Sequence, residues 1–320
     1  MRYFTAEEGP YSIPDRWEDE ATRLLKIGWK GRLVAGLSQS AYRSYVFPVV
    51  SPAGVYVTTE RSASDHPWHQ SVTIGSDRFY TYLQSPEGPV EQPPLNMYWD
   101  WPFQGRDAGR IISSVVDERT ERAEDHLEIT QRLQWQGPEE YGVGRYRRIL
   151  ADEVRIIDVR PGDVANIIDV RSQIRPTDWD LRIGPCRHGY FTIRVADHLR
   201  VVDRNGDKVG GKLTASGGRV GEKEIRWQLA DWVDYSGKDD QGRMAGVAMF
   251  QFPSVGNVPW YLVDYGSVRI NPHRMTHRYI KRGEMLDLAI RVVAHDGDAE
   301  EAGIADLYKA FAEEFGASPA

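Results

Sequence analysis

Asp65-His66-Pro67-Trp68-His69-Gln70 gathers two imidazoles, a carboxylate and an indole in one short stretch. Pro67 fixes its own φ and pushes His66 out of helical geometry, so the stretch is extended or turned. A bend there brings His66 and His69 together. Paired imidazoles beside a carboxylate can shuttle a proton, hold a metal or hydrogen-bond a polyol. We read His66 and His69 as acid/base groups, with Asp65 orienting one ring through its Nδ1–H. The same two histidines are the tentative ligands of a divalent cation. No His-x-Glu-x-x-His spacing or partner cysteine adds to a metal site, and no other cofactor is implied.

Further candidates lie downstream. Gly184-Pro185-Cys186-Arg187-His188 precedes the apolar run 189–195, which places His188 at a strand mouth where it can reach a pocket. Asn271-Pro272-His273 forms another cluster with His277, and on a strand His273, Met275 and His277 would share a face. His188 and His273 are therefore candidate acids to complement His66 or His69. Cys186 reads as a small buried hydrophobe rather than a nucleophile. Trp68, Gln70, Trp99, Trp101, Tyr235 and Asn271 are groups that stack on or hydrogen-bond a sugar, and Asp234 sits between Trp232 and Tyr235. Arg194, in an otherwise apolar strand, either pairs internally or grips a substrate carboxylate.

The elements that must position these groups are mostly strands. Residues 20–37 read as a hairpin turning near Gly28-Trp29-Lys30-Gly31, and Val46-Phe47-Pro48-Val49-Val50 and Val55-Tyr56-Val57-Thr58-Thr59 are rich in β-branched and aromatic residues. Leu127, Ile129, Leu133 and Trp135 alternate with Glu128, Thr130, Arg132 and Gln134. Ile168, Val170 and Ile174 repeat the pattern, as do Leu286, Leu288, Ile290 and Val292. Period two with one polar face predicts antiparallel sheets. Residues 84–109, rich in Pro, Gly and Gln around Tyr98-Trp99-Asp100-Trp101, predict a long loop that covers a site or is pinned by its own tryptophans. Asp298 and Glu301 form a capping box before Ile304, Leu307, Tyr308, Phe311 and Phe315, and Gly316 ends the run. The fold class is mainly β: a large antiparallel β-sandwich with a C-terminal amphipathic helix. One domain spans 1–320, with an irregular lead-in at 1–19 and the helix at 298–316.

Bulk composition narrows the partners. The 320 residues are 41% hydrophobic and 27% charged, as in a globular protein. The net charge of -7 argues against nucleic acid, which calls for a basic stripe. No apolar run approaches the roughly 18 residues of a membrane span. The N-terminus lacks the pattern of a secretory signal, and the single cysteine, Cys186, excludes an internal disulfide. A reducing cytoplasm is the expected location.

The order of these pieces has a family likeness. Phe47-Pro48-Val49 and Pro52-Ala53-Gly54 precede Asp65-His66-Pro67-Trp68-His69. The run 189–195, the run 232–237, Tyr265-Gly266 with Asn271-Pro272, and His295-Asp296-Gly297 before the helix follow. Together they resemble a bacterial family labelled "methane oxygenase PmoA", over roughly 40–315. Its histidine segment usually reads Asp-His-Pro-His-His, so Trp68 replaces one histidine, and Gln70 stands where arginine is common. Members of that family accompany sugar oxidoreductases and transporters, so the resemblance implies carbohydrate catabolism. The label itself describes membrane proteins, whereas this sequence has no apolar span.

The expected function is a carbohydrate-active enzyme that cleaves or rearranges a glycoside or an oxidised (keto) sugar by His/Asp general acid–base chemistry, through β-elimination or hydrolysis. The alternative is a non-catalytic sugar-binding module that uses its tryptophans as stacking platforms. A redox metalloprotein is the third reading.

Overall fold

The computed structural model describes residues 3–10, 23–60, 66, 68–113, 118–140 and 146–318. The protein is mainly β, as the alternation predicts. An eight-stranded antiparallel sheet runs in the order Phe4–Pro10, Arg23–Trp29, Arg32–Gln39, Ser44–Val49, Val72–Ser76, Gly189–Arg194, Ser267–Ile270, Tyr261–Val263. A ten-stranded antiparallel sheet is built around Trp232–Lys238, Met244–Gln251, Leu286–Asp296, Ala165–Pro176, Tyr146–Arg160 and His126–Glu140. A four-stranded sheet joins Arg278–Ile280, Leu181–Ile183, Phe79–Ser85 and Gly88–Glu91. The two large sheets share one apolar core. Ile74, Phe191 and Val268 from the first pack in the same cluster as Ile129, Ile157, Val170 and Val292 from the second. Each comes from the inward set of its strand, so period two generates the sandwich.

One ion cluster sits inside this core. Arg155 donates to Glu153 through Nε (2.9 Å) and Nη2 (3.0 Å) and to the Ser44 carbonyl through Nη1. Trp135 and Ser172 donate to the same carboxylate at 2.8 Å each. Every oxygen of Glu153 is thus satisfied, the condition under which a buried charge pair is tolerated.

Three expectations about the elements need correction. The lead-in at 1–19 is not wholly irregular: Phe4–Pro10 is a strand, paired along its length with Arg23–Trp29, because Phe4 finds a buried place at the sheet edge. The loop at 84–109 opens as a hairpin, with Gly88–Glu91 returning on Phe79–Ser85. The C-terminal helix begins at Ile304, not at 298, and runs to Phe315. The reciprocal bonds of the capping box do form, Asp298 N–H to Glu301 Oε2 and Glu301 N–H to Asp298 Oδ1, both 3.0 Å. They close a turn ahead of the helix, and Gly303 in the left-handed region (φ 65°) separates the two. Tyr308 and Phe311 then pack on Phe250 and Val293 of the ten-stranded sheet's outer face. Among the described residues, no helix is long and apolar enough to cross a membrane.

Candidate functional site

The eight-stranded sheet differs from an ordinary sandwich sheet on its outer side. Cross-strand register sets Tyr45, Thr73, Thr192, Arg269 and Tyr261 in one row, while their neighbours Ile74, Phe191, Val268 and Leu262 face the core. The row is buried although polar. What covers it is the histidine segment and the aromatic turn at 96–103. Asn96 braces that turn: its Oδ1 accepts from the N–H groups of Tyr98 (2.8 Å) and Trp99 (2.9 Å), and its Nδ2 donates to the Trp101 carbonyl (2.9 Å). An asparagine side chain thereby replaces the ladder bonds that an irregular segment lacks. The predicted loop lies over this polar row, with its aromatics packed on one another.

Between cover and sheet lies a cleft of about 330 Å³. His66, Trp68, His69, Trp99 and His188, all singled out from the sequence, line it. Asp77, Tyr261, Tyr265 and Arg269 line it as well and were not singled out.

The best-organised pair is His188 with Asp77. Gly189 pairs with Ser76 in the ladder, so the next residues on the two strands, His188 and Asp77, must come opposite each other. Asp77 N–H donates to the His188 carbonyl (3.0 Å), and His188 Nδ1 meets Asp77 Oδ2 at 3.0 Å. A side chain at Gly189 would bring its Cβ to 2.7 Å from the Gly75 carbonyl, so only glycine permits this close approach. Trp99 and Tyr98 pack around the imidazole, at 4.5 and 5.2 Å between centroids. Burial pushes the His188 pKa below the ordinary value, against the opposing pull of Asp77. The ring is neutral at pH 7, with the carboxylate holding Nδ1–H and leaving Nε2 for proton transfer.

The two histidines of the short segment play a different part. Tyr265, His66 and His69 form one stack, with spacings of 5.0 and 4.7 Å and nearly parallel planes. Lone pairs lie in ring planes, so parallel stacked imidazoles do not converge on one ion. Arg269 Nη2 also stands 3.1 Å from His69 Nε2. A guanidinium only donates, so this nitrogen is the acceptor and is engaged. The pair does not fit the expected divalent cation. Among the described residues no group of three His, Cys, Asp or Glu side chains is placed to hold a metal.

Several predicted residues lie elsewhere. Trp101 stands behind Trp68, edge to face at 5.3 Å. Gln70 is buried beneath the segment, and Arg194 is buried with its guanidinium 5.2 Å from the Tyr265 ring. Asn271 donates to the Cys186 carbonyl (2.8 Å) and fixes the turn that carries His273. That turn replaces the expected strand, so His273 is buried while Met275 and His277 are exposed. Burial, then Arg278, push the His273 pKa to about 4, and it does not line the cleft. Asp234 and Tyr235 belong to the ten-stranded sheet and are not in the cleft either. Successive side chains on a strand oppose, so Tyr235 points away from the face that Trp232 and Asp234 share; Asp234 Oδ2 meets His295 Nε2 at 2.7 Å, and Tyr235 donates to the Val263 carbonyl. Burial pushes the Cys186 thiol up to about 11, in keeping with an inert buried cysteine. Asp65 lies outside the described residues.

One signal for the missed groups was present. Arg269 stands in Ser267-Val268-Arg269-Ile270, the same arginine-in-apolar-strand pattern that marked Arg194. Asp77 had none, since its partner is 111 residues away.

No curated protein matches the chain. Among solved structures, a galactose mutarotase related enzyme from Lactobacillus acidophilus aligns with 90% of this chain and 97% of that one, at 6% identity and a TM-score of 0.33. A 4-alpha-glucanotransferase from Thermococcus litoralis aligns with 93% of this chain at 10% identity and a TM-score of 0.26, and the chain spans 38% of that enzyme. A family model matches residues 31–309, and the chain belongs to that family, DUF6807, a family of unknown function.

Proposed function

We propose that the cleft is the active site of a carbohydrate-active enzyme that works by general acid–base chemistry on a glycoside or keto sugar. The observation that carries this reading is the His188–Asp77 pair, in a cleft walled by Trp68 and Trp99. A neutral imidazole oriented by a carboxylate is a competent base near pH 7. Beside a carbonyl, a sugar C–H is acidic enough for His188 Nε2 to take its proton. The electron pair left on carbon becomes an enolate, whose collapse breaks the β C–O bond. The departing oxygen needs a proton, and Tyr261, which lines the same cleft, would give it. Burial alone would raise that phenol, but Arg269, with Arg187 and Arg226, outweighs it and holds Tyr261 below the ordinary tyrosine value. Solvent then returns the proton from His188 to the Tyr261 phenolate. In a hydrolase the same base would activate water instead. His66 and His69 set the wall and the Arg269 position rather than transfer the proton.

The test separates an enzyme from a sugar-binding module. Turnover of a panel of glycosides and their keto derivatives is followed by product release, and binding by tryptophan fluorescence. His188→Gln and Asp77→Asn should each lower turnover about 10²- to 10⁴-fold with binding nearly unchanged. Loss of binding with no turnover in any variant, the parent included, would leave the binding module as the reading.

A further inference from the structure

Arg269 is buried and lines the cleft, yet no carboxylate meets it among the described residues. Its Nε donates to Tyr98 Oη (3.1 Å), its Nη2 to His69 Nε2, and its guanidinium lies 4.8 Å from the Tyr261 ring. All these partners are formally neutral. A buried guanidinium normally has a counter-charge, because an uncompensated one costs several kcal/mol. The other cations of the cleft sharpen the imbalance. Arg78 and Arg187 line it from exposed positions, so among the described residues three guanidinium groups stand against one lining carboxylate, Asp77. Asp77 is already engaged by His188 and by Arg106, 3.8 Å away. Arg274 adds positive charge beside the cleft, stacked on Trp227 at 4.0 Å. The same guanidinium groups, against burial, hold the Tyr261 phenol below its ordinary value.

We infer that the cleft carries an anion subsite, formed by Arg269 and Arg187 beside Tyr261, that takes the carboxylate of an acidic sugar, a uronic acid unit. This names the substrate class of the proposed enzyme and rests on that reading for its sugar. Planar guanidinium forks match a carboxylate in two parallel hydrogen bonds, and among the described residues no lysine lines the cleft. Neutralising the carboxylate would also favour elimination, since the C–H beside a paired carboxylate is lost more readily than beside a free one.

Binding of D-glucuronate, D-galacturonate, D-glucose and glucose 6-phosphate to the full chain tests this, by calorimetry at fixed ionic strength. The uronates should bind about 10- to 100-fold more tightly than glucose. Arg187→Ala, an exposed change that leaves the fold intact, should remove most of that preference, and Arg269→Met nearly all of it. Equal affinity for uronates and glucose overturns the subsite, as does tighter binding of glucose 6-phosphate than of either uronate. Neither result touches His188, which is read on turnover, so the two proposals fail separately.

Discussion

Two buried arginines, each on the outer face of a large sheet, have opposite surroundings. Arg291, on the ten-stranded sheet, faces Asp169 directly across the ladder and donates to both its oxygens, at 2.7 and 2.8 Å. Phe311 and Phe315 of the C-terminal helix cover it, with ring centroids at 4.8 and 5.2 Å. Arg160 reaches Asp169 at 3.1 Å, and Glu314 balances the second guanidinium, 3.7 Å from Arg291 and 3.8 Å from Arg160. Arg269, on the eight-stranded sheet, is equally buried and touches a phenol, an imidazole and aromatic faces. The first arrangement is electrically closed and carries a helix on top. The second has no carboxylate among the described residues and has a cleft on top. Burial alone does not separate the two arginines; the counter-ion does.

The sharpest break of the closed site is Arg291→Ala. It takes from buried Asp169 the arginine that binds both its oxygens, leaving the half-buried Arg160, and removes the surface on which Phe311 and Phe315 rest. Loss of one partner of a buried pair costs about 3–5 kcal/mol. Urea unfolding should show that loss, with the C-terminal helix fraying first in hydrogen exchange. A cost below about 1 kcal/mol would mean that the pair is hydrated and the contrast with Arg269 is false.

Histidines repeat the contrast and give it a pH dependence. His295, fully buried on the ten-stranded sheet, meets Asp234 at 2.7 Å. His273, buried beside the eight-stranded sheet, has no partner for Nε2 among the described residues. Unfolded, it titrates near the ordinary 6.5; folded, burial and Arg278 hold it at about 4. Between those values the unfolded chain binds a proton that the folded chain refuses. Stability is therefore undiminished above about pH 6.5 and falls as pH drops towards 4, by on the order of 3 kcal/mol in all. His188 and His198 shift in the same direction and add to the slope. His273→Gln should flatten the acid limb between pH 6.5 and 4.5 in a urea-midpoint series. An unchanged slope would place the acid sensitivity elsewhere.

How much of this was legible in the sequence follows from what is local. Alternation in Leu127 to Trp135 is a property of one strand, and it gave the sheets and their inward faces correctly. The histidine segment is likewise local, and three of its side chains do reach the cleft. The aromatic turn is local too, but composition left open whether it covers a site or is pinned by its own tryptophans. What could not be read is register. His188 and Asp77 become partners only because Gly189 pairs with Ser76, a long-range fact with no sequence mark. Asp234 was misplaced by counting neighbours along the chain, where the pleat sends Trp232 and Tyr235 to opposite faces. Arg269 was legible by the rule that picked Arg194, and its open charge was not, because that depends on which carboxylates fail to arrive.

The smallest expected effect is the most discriminating. Arg269→Met keeps the length and apolar stem of the side chain while removing the charge. It forfeits neutral hydrogen bonds to Tyr98 and His69, each worth about 1 kcal/mol net. Against that, it relieves a buried cation that no carboxylate among the described residues offsets. The two effects nearly cancel, so the unfolding free energy should move by no more than about 1 kcal/mol in either direction, in contrast to Arg291→Ala. The Tyr261 phenol should meanwhile rise towards or above its ordinary pKa, because burial is then opposed by weaker positive charge. Ultraviolet titration of tyrosine in the variant against the parent reads that shift directly. If Arg269→Met instead costs as much as Arg291→Ala, Arg269 is holding the fold together, and the open charge is not being kept for a ligand.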